Sequence, residues 1–172
     1  MEFLTLIKSR IPDYAKDIRL NLDGTIARSS LSGNDEVGVA LAAAFAAKSK
    51  LMVDIIKASG AIAPEEIQAA LTASALMGMN NVWYPYVDMA DDPDLKTQAA
   101  QLRMNAYASN GGVDKRRFEM YALAASIVGK CHFCVRSHYE LLKKEGMSSL
   151  QLRDIGRIAA VVNAAALVIA AE

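Results

Sequence analysis

Cys131-His-Phe-Cys134-Val-Arg-Ser-His138 gathers both cysteines and both histidines of the 172-residue chain into eight consecutive positions. A Cys-x-x-Cys pair followed by a histidine can make and break a disulfide, and it can also hold a metal. On a helix beginning near Lys130, positions i, i+3 and i+7 share a face, so Cys131, Cys134 and His138 point the same way. A pair across the first helical turn can close a disulfide. The positive end of the helix dipole favours the thiolate, the attacking species in thiol–disulfide exchange. Histidine titrates near neutral pH, so His138 can take or return the proton.

Glu119 is the candidate third partner. It lies ten residues before Gly129, and His138 lies nine after it. At a rise of about 1.5 Å per residue, a tight turn at Gly129-Lys130 sets the two level on neighbouring helices, whereas a straight helix separates them by roughly 30 Å. A Glu119–His138 hydrogen bond would orient the imidazole and raise its basicity. His132 is read as an exposed first-turn residue outside this set. Zinc remains open, but it wants four ligands, and Cys131, Cys134 and His138 supply three, so Glu119, water or another subunit would have to complete the set. A third possibility is acid–base chemistry by Glu119 and His138 on a small organic acid, with the cysteines incidental.

The elements that position these residues read as helices throughout. Pro12 to about Arg28 has helical apolar spacing at Tyr14, Ile18, Leu22 and Ile26. Asn34 or Asp35 can cap a helix to about Ala58, stopped by Gly60. Pro64-Glu-Glu opens another to about Asn80, with Trp83-Tyr-Pro-Tyr86 marking its end because Pro85 disfavours helix before it. Pro93 opens a helix to about Tyr107, Asn110-Gly-Gly112 turns, and Asp114 caps a helix through about Val128. The cysteine helix runs to about Glu145 and ends at Gly146; Ser148 or Ser149 caps the last. No segment alternates like a strand. The expectation is all-α, one domain over residues 1–172, with seven or eight helices.

Composition agrees. Hydrophobic residues make up 53% of the chain but aromatics only 6%, with alanine runs at Ala40–Ala47, Ala122–Ser126 and Ala164–Ala171 that let helices approach closely. Lys+Arg and Asp+Glu balance at 19 each, which removes the electrostatic signature of a nucleic-acid binder. The apolar run at the N-terminus is too short for a signal peptide, and Ile158–Ala171 is too short to span a bilayer and reads as a buried helix, so neither suggests a membrane protein. Paired cysteines without export signals suggest catalysis or metal in the cytoplasm rather than a disulfide framework.

A faint repeat runs through the chain. Ala40-Leu-Ala-Ala43, Lys48 and Val53 match Ala122-Leu-Ala-Ala125, Lys130 and Val135 at an offset of 82. At that offset Ser49, Met52 and Ile56 stand where Cys131, Cys134 and His138 do. Two pseudo-repeated halves are expected, a degenerate one over about 1–85 and one carrying the chemistry over about 93–172.

The pattern Glu119-x11-Cys131-x2-Cys134-x3-His138, with Met79-Asn-Asn-Val-Trp-Tyr84, Leu102-Arg-Met-Asn105 and Gly112-Val-Asp-Lys115, resembles the alkyl hydroperoxide reductase D (AhpD) family of the carboxymuconolactone-decarboxylase-like superfamily. The resemblance implies a helical homotrimer and a thiol–disulfide enzyme with no tightly bound cofactor or metal. Electrons would come from dihydrolipoamide on a lipoylated 2-oxoacid dehydrogenase component. They would pass to an AhpC-type peroxiredoxin and, more weakly, to organic hydroperoxides. Cys131 and Cys134 would be the redox pair, Glu119 and His138 a proton relay. Some members carry a histidine directly before the second cysteine; here Phe133 stands there and the histidine is one earlier, at His132, about 100° away around a helix. Decarboxylases of the superfamily lack the cysteine pair, which disfavours a lyase.

Overall fold

The computed structural model describes residues 1–172, apart from the side chain of Asn34. Ten α-helices occur among the described residues: α1 Glu2–Lys8, α2 Lys16–Leu22, α3 Asn34–Ala46, α4 Lys50–Ala58, α5 Pro64–Ala90, α6 Pro93–Thr97, α7 Asn105–Ala108, α8 Lys115–Val128, α9 His132–Lys144 and α10 Ser149–Ala171. The all-α expectation holds, and no strand is present among the described residues.

The additional helices come from breaks without a sequence signal. The stretch expected as one helix to Ala58 is α3 and α4, divided at Ala47–Ser49 where Lys48 takes φ 60°. The stretch expected from Pro93 to Tyr107 is α6 and α7, with irregular chain between and Gln101 at φ 50°. Residues 13–27 are helical but change winding, from a 3₁₀ turn to α2 to a π turn. α1 was not anticipated; Phe3, Leu4 and Ile7 bury one face of it. α5 does not stop at Trp83–Tyr86 but continues through Pro85 to Ala90, ending at Asp91 in the left-handed region. An interior proline costs about 3 kcal/mol. Here it falls late in a helix already anchored by Ala69, Ala70, Ala73 and Met77, and Tyr84 just before it stacks on Phe133 at 4.2 Å between centroids.

Caps account for other boundaries. Asp114 accepts from the Arg117 amide at 3.0 Å at the start of α8, and Ser148 forms a capping box with Gln151 at the start of α10. The expected cap at Asn34 lies outside the described side chains. Asp35 is not a cap: it sits inside α3 and accepts from Arg117 Nε at 3.0 Å.

α3 and α8 form the centre. Residues 37–44 and 118–126 are buried on every side, the mark of helices enclosed by others. They pack on each other, and both pack on α5 and α10. The contact is close enough that a Cβ on Gly38 would lie 2.4 Å from the Tyr121 ring. Tyr121 donates to Glu66 Oε2 at 2.5 Å, and burial, reinforced by Glu66, pushes its phenol well above the ordinary range. α10 is long and apolar enough to cross a bilayer by length and composition alone, contrary to the expectation drawn from Ile158–Ala171. It packs Leu152, Ile155, Ile158 and Val162 into the core, while Leu167 is exposed.

The repeat is visible in the backbone. Ser49 N bonds Ala44 O and Lys48 N bonds Phe45 O; Cys131 N bonds Ser126 O and Lys130 N bonds Ile127 O. Both are Schellman closures with the left-handed residue at Lys48 (φ 60°) and Lys130 (φ 57°).

Candidate active site

The site is built on the turn between α8 and α9. The break falls at Gly129-Lys130 as expected, with Gly129 right-handed at φ −73° and Lys130 in the left-handed place. Glycine is needed at 129 for space: a Cβ there would lie 2.0 Å from Asn81 Nδ2, which donates to Ala125 O at 3.1 Å. Asn81 of α5 therefore seats directly on the turn, a contact the sequence did not signal.

Cys131 closes α8 and opens α9. Its amide completes the Schellman closure, and its sulfur accepts from the Cys134 amide at 3.2 Å as the cap of α9. Cys131 and Cys134 are joined as a disulfide with Cα atoms 5.3 Å apart. Both are buried, but Cys134 and not Cys131 lines a cavity of about 340 Å³, together with His138, Tyr107 and Tyr84.

The turn brings Glu119 and His138 together as its geometry required. Glu119 Oε2 lies 2.6 Å from His138 Nδ1, with the carboxylate 1% and the imidazole 7% exposed. The other carboxylate oxygen accepts from the Tyr107 hydroxyl, and His138 Nε2 lies 3.2 Å from Met77 Sδ. Burial, and then the bond to Glu119, pushes the Tyr107 phenol well above its ordinary range, so it stays a protonated donor. Such an arrangement can hold a proton on a fixed imidazole beside a cysteine pair, and nothing in it depends on His132, which is exposed. Tyr107 and Met77 were missed: Tyr107 lies on the four-residue α7 and Met77 on an apolar helix face, without a local pattern to mark either.

At the offset of 82, Val37, Ser49, Met52 and Ile56 replace Glu119, Cys131, Cys134 and His138. Val37, Met52 and Ile56 are buried, so the corresponding place in the first half is apolar.

Beyond the Tyr84–Phe133 stack lies a second groove of about 760 Å³ between Trp83–Met89 and the first turn of α9. Trp83 is half-buried there, while Tyr86, Met89 and Phe133 are exposed.

The family described as carboxymuconolactone decarboxylase matches residues 93–172, the segment that contains the Cys-x-x-Cys at the start of α9 and the buried Glu–His pair behind it. Over nearly its whole length the chain is similar to proteins named alkyl hydroperoxide reductase AhpD. One from Rhodospirillum centenum is 44% identical, covering 96% of this chain and 90% of the relative. One from Maricaulis maris is 41% identical, covering 96% of each, and one from Rhodopseudomonas palustris is 38% identical over 98% and 93%. The chain belongs to the alkyl hydroperoxide reductase AhpD family.

Proposed function

We propose that the chain is a thiol–disulfide antioxidant enzyme that cycles Cys131–Cys134 to reduce a partner peroxiredoxin of the AhpC type and, more weakly, organic hydroperoxides. The observation that carries this reading is the disulfide at the start of α9 on the same turn that places Glu119 against His138. The relatives' name supports the peroxide-related role.

Dihydrolipoamide, free or on a 2-oxoacid dehydrogenase component, is the electron donor in this scheme, and no tightly bound cofactor is needed. One donor thiolate attacks Cys134 Sγ, the sulfur on the cavity, and Cys131 leaves as a thiolate. The amide that caps Cys131 Sγ supports negative charge there, and a stabilised thiolate leaves faster. The second donor thiolate then attacks the mixed disulfide, releasing Cys134 and oxidised lipoamide. Two electrons and two protons now reside on the chain's thiols.

In the oxidative half, Cys134 thiolate attacks the peroxiredoxin disulfide and Cys131 resolves the mixed species, leaving the peroxiredoxin reduced. With a hydroperoxide, Cys134 takes the distal oxygen to become a sulfenic acid and the alcohol leaves with a proton. Cys131 then condenses with the sulfenic acid and releases water. His138, oriented by Glu119, takes the thiol proton and returns it to the leaving group.

We place this enzyme in the cytoplasm, where a dithiol donor keeps thiols reduced, and assign it a homotrimeric assembly on the family resemblance. Steady-state oxidation of dihydrolipoamide by an organic hydroperoxide, with and without an AhpC-type peroxiredoxin, tests the proposal. Turnover that needs both cysteines supports it. An activity on a small organic acid that survives alkylation of the thiols would replace it with acid–base chemistry by Glu119 and His138.

A further inference from the structure

We propose that Tyr107 positions the Glu119–His138 pair, making the proton relay a three-residue chain that reaches from α7 to α8 and α9. The inference rests on the thiol–disulfide reading above and deepens it.

Glu119 is almost fully buried, and its two oxygens have different partners: Oε2 faces His138 Nδ1 at 2.6 Å, and Oε1 accepts from Tyr107. A carboxylate held at one oxygen can rotate about its terminal torsion, which is a broad one. Held at both, it presents one fixed oxygen to the imidazole. That fixes which ring nitrogen faces the carboxylate and leaves Nε2 on the side of Met77 Sδ. Groups that orient a ligating side chain at metal sites are worth about 10–100-fold in affinity or activity, and the same scale is expected for a group that orients this carboxylate.

Tyr107 is itself held in place. Its ring meets Phe118, the neighbour of Glu119 in α8, edge-on at 5.6 Å and lies 6.5 Å from the His138 ring. It sits on α7, four residues long, after an irregular stretch in which Gln101 is left-handed. Met104, Tyr107 and Ala108 from this segment form one wall of the cavity that Cys134 lines. The hydroxyl bond thus does two things at once: it fixes the carboxylate and ties the cavity wall to α8. Around the pair stand Tyr107 from α7 and the neutral Met77 from α5, and Cys134 of α9 and Asn80 of α5 share the cavity with His138.

Tyr107→Phe removes the hydroxyl and keeps the ring on Phe118, so it separates positioning from packing. The measurement is kcat and KM for hydroperoxide-dependent oxidation of dihydrolipoamide by the full-length protein. It is paired with proton NMR of the His138 Nδ1–H resonance, which lies far downfield when the proton is held against a carboxylate. The expected result is a kcat lower by about 10–100-fold, a KM within about twofold, and a displaced or lost Nδ1–H resonance. Unchanged kcat with an unchanged resonance would overturn the role of Tyr107 and leave the redox reading standing. Should the unaltered protein show no turnover, the redox reading fails, and the resonance alone decides the positioning: displaced in Tyr107→Phe it stands, unchanged it falls.

Discussion

Glu119 and His138 lie 19 residues apart in sequence and 2.6 Å apart in space, Oε2 to Nδ1, because the chain reverses at Gly129-Lys130 between them. Both side chains are buried, so each depends on the other for a charged hydrogen-bond partner. Removing the carboxylate charge while keeping the shape isolates the electrostatic part of the relay. Glu119→Gln is expected to slow peroxide-dependent turnover by about 10²–10⁴-fold, the usual range for general acid–base catalysis. The disulfide is still expected to close under strong oxidant. Initial rates under saturating dihydrolipoamide check this; wild-type rates in Glu119→Gln would remove the pair from the mechanism.

Gly129 faces Asn81 with no room for a methyl group. Gly129→Ala is expected to destabilise the fold by about 1–3 kcal/mol, typical of overpacking. It should also slow turnover by displacing the turn that seats Cys131. Urea denaturation with parallel rate measurements checks both. Gly129 is right-handed, so a null result would mean that Asn81 moves aside at no cost.

Asp154 is the acid-sensitive tie between the N-terminal segment and α10. Burial works against its charge, but the Ser30 amide at 2.8 Å and the Arg153 and Arg157 guanidiniums at 2.9 and 3.1 Å outweigh it and hold the carboxyl at about 2, below its ordinary 3.8. The folded-state value is depressed, so the stabilisation is complete above the unfolded value and is lost as pH falls from about 4 towards 2. The arginines are half-exposed, which limits the contribution to on the order of 1–2 kcal/mol. The stability gap between the wild type and Asp154→Asn, measured by urea denaturation, is expected to be constant near neutral pH and to close between about pH 4 and 2. A gap independent of pH would contradict this.

Assembly is open to direct measurement. Light scattering behind size exclusion is expected to give three times the chain mass of 18.5 kDa. A mass of a single chain would withdraw the homotrimer.

Much of this architecture was legible because its signals are local. Asp114 and Ser148 cap as their types suggest, and Gly146 ends α9 in the left-handed region. The Glu119–His138 meeting followed from counting residues on either side of the turn. What escaped was conformation borne by residues with no preference for it. Lys48 breaks α3 from α4 in a left-handed state that lysine rarely takes, and the clue was its match to Lys130 at the offset of 82 rather than its own identity. Pro85 misled in the other direction, because packing along α5 outweighs the local penalty. Tyr107 was invisible because a single tyrosine on a helix of four residues carries no periodicity, and only the fold brings it to Glu119.

Redox cycling of Cys131 and Cys134 is the central claim, and thiol titration reads it most directly. The purified protein is titrated before and after incubation with dihydrolipoamide, and again after addition of an organic hydroperoxide. Two thiols gained on reduction and lost on peroxide addition, with neither change in Cys134→Ser, is the expected result. Two thiols that never change, or that appear only after a chelator, would contradict it and transfer the site to metal binding or acid–base chemistry.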